Sequence, residues 1–469
     1  MQIQVTVVEF IVIIFHWFLL YLSALLYALP FLFTCYLWWL IFFFPIPLLY
    51  LVRTINLSFV HGYIWGVVVF ALHLSGGICV IADMAGTSWP VGLLLGIIMV
   101  LYQALSIALL FWCAAKIAQY FAIRSLISRL FLWAAALGLF IMWTDWYCLW
   151  IFGIKEGHPL MHPLIPLAQQ PCLLLLLPII GKPLLTVLFL LFSVSSVALM
   201  WLRTYKAFLM WVIVCMPWIW CWCSGSLPVS RQQWLVQIKS IPFMAHSTSD
   251  NPIAMMKNAG DQLKKVIANY PQANIIVMPE SAFNCTVLQN RPELLDMWSE
   301  QNIGKAVHVI FGSFRWDTHG NYYNTAYWAY NGQLQQCFDK RHAVLISERL
   351  AWLVACPLLK DIYCSSVHST TISVHDRLPF IIAESMAYIP YICSELFFNE
   401  YPDDIYINIA VIALVNDTAF LRRYASYISD LLFLVARMKA IAWQRDIVYV
   451  SYSRSFFIDK SGMIAKINE

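Results

Sequence analysis

"IIVMPESAFN", Ile275 to Asn284, reads as a buried strand that stops at Pro279 and presents a carboxylate, Glu280, at its end. An unbroken apolar run of this length, closed by a proline, suits a strand covered on both faces. Its neighbours alternate in type. "WLVQIKSIPF" (234–243) is strand-like. "NPIAMMKNAGDQLKKVIANY" (251–270) has the spacing of an amphipathic helix, with Ser249 or Asp250 as its cap. "AVHVIFGSFRW" (306–316) is a further strand. "YYNTAYWAYNGQLQQCFDKRHAV" (322–344) is a hairpin turning at Asn331-Gly332. "IYINIAVIALVND" (405–417) is another strand, "SDLLFLVARMKAIAWQRD" (429–446) a helix, and "IVYVSYSRSFFIDKSGMI" (447–464) a closing hairpin. Strands alternating with helices predict a layered α/β fold whose sheets are covered by helices.

The rest of the chain is different. Of 469 residues, 61% are hydrophobic and 12% charged, where soluble domains average about 25% charged. Residues 1–232 hold only 13 of the charged side chains, against 41 in the remaining 237. This asymmetry predicts a membrane domain over 1–228, followed by a more polar α/β domain over 229–469 large enough to bury its own core. Seven apolar stretches are long enough to cross a ~30 Å hydrocarbon layer. They cover 5–28, 29–52, 57–82, 91–115, 130–154, 184–202 and 207–225. "CLLLLLPIIG" (172–181) is too short and reads as re-entrant or interfacial. The first span has neither the basic start nor the small-residue cleavage site of a signal peptide. Arg53, Lys116, Arg124, Arg129, Arg203 and Lys206 all fall on one side of the layer. That side is expected to be cytoplasmic, which puts the C-terminal domain outside. The net charge of +4 is small and scattered, with no basic run carrying interleaved aromatics, so no nucleic acid is expected as partner.

Polar groups within the apolar stretches carry little chemistry. Glu9 and His16 lie seven apart on one helical face, without partners in the pattern, and read as interfacial groups. His158 and His162 are four apart, but each precedes a proline, which disfavours a two-histidine metal face. Of 13 cysteines, five fall in the outer domain: Cys285, Cys337, Cys356, Cys364 and Cys393. Cys356 and Cys364 are candidates for a bridge, with unpaired thiols as the alternative.

Three polar residues sit where buried strands end: Glu280, Lys340 in "CFDK" and Cys393 in "YIPYIC". Strand ends are where sites form in layered α/β folds. A thiol needs a base, which a desolvated carboxylate supplies, and a developing oxyanion needs a fixed cation or donor. Taken singly, each has a plainer reading: a small core cysteine, a solvated lysine and a turn glutamate.

The order "IIVMPESAFN", "FDKRHAVLISERL", "YICSELFF", "ALVNDTAF" resembles the nitrilase, or carbon–nitrogen hydrolase, superfamily, whose triad runs Glu–Lys–Cys. Several spans followed by such a domain resemble apolipoprotein N-acyltransferase. "EGHPLMHPLIPLAQQ" and "ARMKAIAWQRDIVYVSYSRSFFIDKSG" are similar to segments of that family. The resemblance implies a multi-span helical domain plus an α–β–β–α sandwich. It makes Glu280 the general base, Cys393 the nucleophile and Lys340 the oxyanion stabiliser, assisted by the backbone N–H of Ser394. Glu348 falls where the family has a second glutamate, Asn416 and Asp417 match its Asn-Asp pair, and Glu395 joins the supporting residues. No metal or cofactor is implied. The implied partners are a phospholipid acyl donor, a lipoprotein acceptor and the bacterial inner membrane, with catalysis on its periplasmic side.

The chain departs from that pattern in several places. Ser394 stands where the family has tyrosine, "LISE" (Leu345–Glu348) replaces its Pro-Phe-Gly-Glu, Gln237 is followed by Ile-Lys-Ser, and the closing membrane helix is missing. Conjugal-transfer proteins of the TraB type also resemble this family. Two other functions therefore stand beside acyl transfer: a membrane-tethered amidase, and a non-catalytic assembly factor of a conjugation or secretion apparatus.

Overall fold

A computed structural model describes residues 2–84, 89–123, 125–145, 161–224, 238–242, 252–283, 291–342, 380–383, 386–397, 409–421 and 425–467. Among the described residues, six stretches are long and apolar enough to cross a membrane: Glu9–Leu32, Thr34–Thr54, Phe59–Gly76, Gly92–Tyr120, Leu177–Leu202 and Tyr205–Cys223. The first belongs to α1 (Gln2–Leu32). The second is broken into α2 (Thr34–Leu37), a 3-10 turn at Trp38–Phe42 and α3 (Pro45–Thr54). Pro45 and Pro47 lack the N–H groups that a continuous helix would need here. α4 (Phe59–Met84) and α5 (Trp89–Tyr120) follow. They approach closely because Gly66 faces Ala104: a Cβ on Gly66 would lie 2.9 Å from the Ala104 Cα.

The expected fifth span opens with α6 (Leu126–Asp145), and its residues 146–154 lie outside the described ones. The segment 172–181 is divided between two elements. After α7 (Leu164–Leu167) and a 3-10 turn at Pro171–Leu174, its second half opens α8 (Leu177–Leu202). The bend sits at Gly181 (φ 74°, ψ 168°), a conformation essentially confined to glycine, two residues before Pro183. α9 (Tyr205–Cys223) completes the apolar set.

The C-terminal half builds two sheets. The first joins β1 (Ile238–Ser240), β2 (Ile275–Val277), β3 (His308–Trp316), β4 (Tyr322–Tyr330) and β5 (Gln333–Asp339), in that order. β1 to β3 run parallel, and β3 to β5 antiparallel. The β4–β5 turn has positive φ at Asn331 and Gly332, as a two-residue hairpin requires. The second sheet has the order β11-β10-β9-β8-β7-β6. Its strands are β6 (Phe380–Ala383), β7 (Met386–Ile392), β8 (Ile409–Leu414), β9 (Ile447–Val450), β10 (Ser455–Ile458) and β11 (Ile464–Lys466). Its middle strands β7, β8 and β9 are parallel.

Side-chain alternation along the first sheet defines the layers. Ile276, Val309, Phe311 and Tyr327 pack with Met256 and Leu263 of α10 (Pro252–Asn269) and with Trp298 of the turn Pro292–Trp298. The opposite face, with Ile275, Val277, Ile310, Ala326 and Trp328, meets the second sheet, where the Trp328 and Phe380 ring centroids lie 5.9 Å apart. α11 (Ser426–Trp443) covers the far side of that second sheet, with the Tyr391 and Trp443 ring centroids 5.2 Å apart. The result is the expected α–β–β–α sandwich.

α11 is buried along nearly its whole length because its outer side meets the apolar helices. Arg437 Nη1 donates to the Gln169 carbonyl (3.1 Å). The Tyr427 hydroxyl donates to the His73 carbonyl and accepts from the Gly76 N–H (3.2 Å) of α4. The sandwich and the helices therefore share one core.

Candidate active site

Glu280 follows β2 in a turn laced to β3. Met278 N–H donates to Ile310 O (2.8 Å), Gly312 N–H to Pro279 O (3.1 Å) and Phe283 N–H to Gly312 O (3.3 Å). Ser281 sits at φ 55°, and Gly312 lets this turn approach β3 closely. Glu280 is consequently 4% exposed.

Lys340 directly follows β5 and is 2% exposed, so the plainer reading of a solvated lysine at a hairpin end does not hold. Its N–H donates to the Asn324 carbonyl (2.8 Å). The preceding Asp339 accepts from Arg315 Nε (2.7 Å), from Arg315 Nη2 and from Thr325 Oγ1 (2.7 Å), which fixes the strand end. The ammonium then donates to Glu280 Oε1 at 3.0 Å. The Asn324 amide donates to the same oxygen at 2.7 Å, and Asn416 N–H donates to Glu280 Oε2 at 2.9 Å. Three donors on one buried carboxylate replace the water it gives up on burial.

Cys393 follows β7 at φ 48°, a left-handed conformation uncommon outside glycine and often found at functional turns. It is 8% exposed and opens a 3-10 turn, Cys393–Phe397. Two connections bring this turn to the Glu280–Lys340 pair. β7 pairs with β8 at Ile392↔Leu414, so Cys393 emerges beside the strand end that carries Asn416 to Glu280. Glu395, fully buried, accepts from Arg341 N–H (2.8 Å) and Ile392 N–H (2.7 Å). One carboxylate thus grips the residue after Lys340 and the residue before Cys393. Asp417 is also fully buried and holds the loop after β9. Tyr452 of that loop donates its hydroxyl to the Glu280 carbonyl (3.0 Å). Burial, then the nearby Glu280 and Asp417 carboxylates, pushes this phenol above its ordinary range, so it remains a donor.

Glu280, Lys340, Cys393, Glu395, Asn416 and Asp417 therefore gather where the strand ends of the two sheets meet. Ser394 lies in the same turn by its backbone. Glu348, Cys285, Cys356, Cys364 and His158 lie outside the described residues. Cys337 is a free thiol. His162 is buried, with Nδ1 accepting from Leu164 N–H (3.2 Å) and Nε2 3.4 Å from Thr186 Oγ1, a structural arrangement. Among the described residues, no three His, Cys, Asp or Glu side chains converge in the manner of a metal site.

The sequence reading missed Asn324, Gly312 and Tyr452. Asn324 left one trace: a polar Asn-Thr pair inside an aromatic strand, which must find partners when buried.

No family model matches the chain, and no curated protein matches it. Among solved structures it is similar to glutamine-dependent NAD+ synthetase from Acinetobacter baumannii, at 16% identity and TM-score 0.35, over 49% of this chain and 42% of that one. The chain thus spans less than half of that relative's length. It is also similar to a carbon-nitrogen hydrolase from Helicobacter pylori G27 (14%, TM-score 0.36, 49% and 84%). A third is Saccharomyces cerevisiae Nit3, of branch 10 of the nitrilase superfamily (15%, TM-score 0.34, 49% and 83%). The assignment of the sandwich rests on the strand order and packing of this chain.

Proposed function

We propose that this chain is a membrane-embedded cysteine acyltransferase of the nitrilase superfamily, resembling apolipoprotein N-acyltransferase. It moves a fatty acyl chain from a phospholipid to an amine, the N-terminal amine of a lipidated cysteine on a lipoprotein. The observation that carries this reading is the buried Glu280–Lys340 pair, held on both sides to the turn bearing Cys393. The apolar helices against α11 support a lipid as donor. So does the packing of the turn Thr418–Phe420, just past Asp417, on α4. The domain works on the periplasmic side of a bacterial inner membrane.

The chemistry follows from the hydrogen bonds. Oε1 of Glu280 already accepts from two donors, whereas Oε2 accepts from one. Oε2 therefore takes the thiol proton as Cys393 Sγ attacks the ester carbon. Lys340 Nζ and the Ser394 N–H meet the developing oxyanion. The tetrahedral adduct collapses, the C–O bond breaks, and the leaving lysophospholipid alkoxide takes the proton from Glu280. The amine then attacks the thioester, gives a proton to Glu280 and expels the Cys393 thiolate, which recovers that proton. A dry site favours the amine over water.

Incubation with a phospholipid labelled in its acyl chain tests this. The expected product is a hydroxylamine-labile adduct on the peptide containing Cys393, discharged by an amine acceptor. An adduct on another residue, or none, would overturn the proposal. Ammonia release from small amides with no lipid adduct would establish the amidase instead.

A further inference from the structure

The reaction above makes no use of Asp417, yet this carboxylate is fully buried and richly bonded. Its Oδ1 accepts from the main-chain N–H groups of Tyr452 (3.1 Å) and Ser453 (3.3 Å). Its Oδ2 accepts from the hydroxyls of Ser429 (2.8 Å), Ser451 (3.0 Å) and Ser453. A charge withdrawn from water needs such compensation, and five donors hold it in one place. Both directions out of this cluster lead to Glu280. One residue back along the chain, Asn416 N–H donates to Glu280 Oε2. Across the cluster, Tyr452 has its N–H fixed by Asp417 and donates its hydroxyl to the Glu280 main-chain carbonyl.

We infer that Asp417 is a positioning residue for Glu280: through Asn416 and Tyr452 it holds the side chain and main chain of the base, and so fixes which carboxylate oxygen faces the thiol. Asn416 N–H occupies one site on Oε2, and the remaining lone pair of that oxygen is left for the proton. A drift of the Asn416 peptide would turn the carboxylate and misdirect this lone pair. The inference rests on the reading of Glu280 as base.

A purely structural Asp417 would tie the loop after β9 to α11 and do nothing more. The two roles separate in a double-mutant cycle. The full chain, in detergent or nanodiscs, is treated with iodoacetamide, and the alkylation rate is read on the Cys393 peptide by mass spectrometry. Asp417→Ala should slow that rate on the order of 30-fold, as small misplacements of catalytic groups do. Tyr452→Phe, which removes a single hydrogen bond and leaves Asp417 in place, should slow it about 5-fold. Asp417→Asn should recover most of the Asp417→Ala loss. Its Oδ1 still accepts from the two N–H groups, and the serine hydroxyls can rotate to accept from its amide. In a Glu280→Gln background, Asp417→Ala and Tyr452→Phe should have no further effect. If they slow Cys393 as much there as in the wild type, Asp417 is structural and the inference fails alone. Should Glu280→Gln alkylate at the wild-type rate, the base assignment falls and takes this inference with it. Tyr452→Phe keeps the test decisive even if Asp417→Ala does not fold.

Discussion

Lys340→Met is expected to abolish turnover and to lower stability at once. The ammonium and its partner Glu280 are almost entirely buried, at 2% and 4% exposure. Methionine fills a similar volume, but it leaves the Glu280 charge with two neutral donors, Asn324 and the Asn416 N–H. Breaking a buried pair from one side costs about 3–5 kcal/mol, because the remaining charge stays out of water. The catalytic loss is separate. An oxyanion donor, the role proposed for Lys340, is worth roughly 10²–10³ in rate. Cys393→Ala behaves differently. It removes the proposed nucleophile, so adduct formation should vanish, but it deletes only one buried sulfur and should cost about 1 kcal/mol or less. The double variant Lys340→Met, Glu280→Gln should regain stability relative to Lys340→Met alone and stay inactive. Thermal midpoints with labelled-lipid turnover read both effects. If Lys340→Met keeps a rate within tenfold of wild type, Lys340 is a counterion and has no part in the chemistry.

What could be read in the residues, and what could not, divides along physical lines. The strand "IIVMPE", the Asn331-Gly332 turn and the helix over 251–270 were legible because each is specified locally, by a proline stop, by the demand for positive φ, or by a 3.6-residue period. The layering was legible because strands and helices alternate. The second span was read as continuous because hydropathy weighs side chains, whereas the break at Trp38–Phe42 follows from missing backbone donors. Glu280, Lys340 and Cys393 stood out only through order and resemblance, since each alone has a plainer reading. The gathering of the site depends on pairings far apart in the chain. Glu395 joins Arg341 to Ile392, Asn324 joins Lys340 to Glu280, and Asp417 reaches across to Tyr452. Arg341 lies 54 residues from Glu395, Asn324 44 from Glu280 and Tyr452 35 from Asp417, beyond the reach of any local pattern. The left-handed turn at Cys393 is likewise imposed by what flanks it, because cysteine has no preference for that conformation.

Gly312→Ala should lower turnover on the order of 10²-fold although residue 312 bears no chemical group, since a displacement near 1 Å at a reacting centre has that effect. A Cβ at 312 would lie 2.6 Å from both the Glu280 Cα and the Ser281 N. These are backbone atoms, so no side chain can swing aside to relieve the contact. The strand cannot retreat easily either, because β3 is paired with both β2 and β4. The compliant part is the turn itself, where Ser281 already holds a strained φ of 55°. Moving it carries Glu280 away from Lys340, Asn324 and the Asn416 N–H together. Overpacking of this kind also destabilises by about 1–3 kcal/mol, so a lower thermal midpoint alone would not separate a damaged fold from a displaced base. Gly66→Ala in α4 supplies the comparison, since its Cβ would lie 2.9 Å from the Ala104 Cα, in the helix packing and away from the strand ends. Both variants should lose thermal stability. Per folded molecule, only Gly312→Ala should lose the capacity to form the Cys393 adduct, because only there does the relief of strain pass through Glu280, the proposed base.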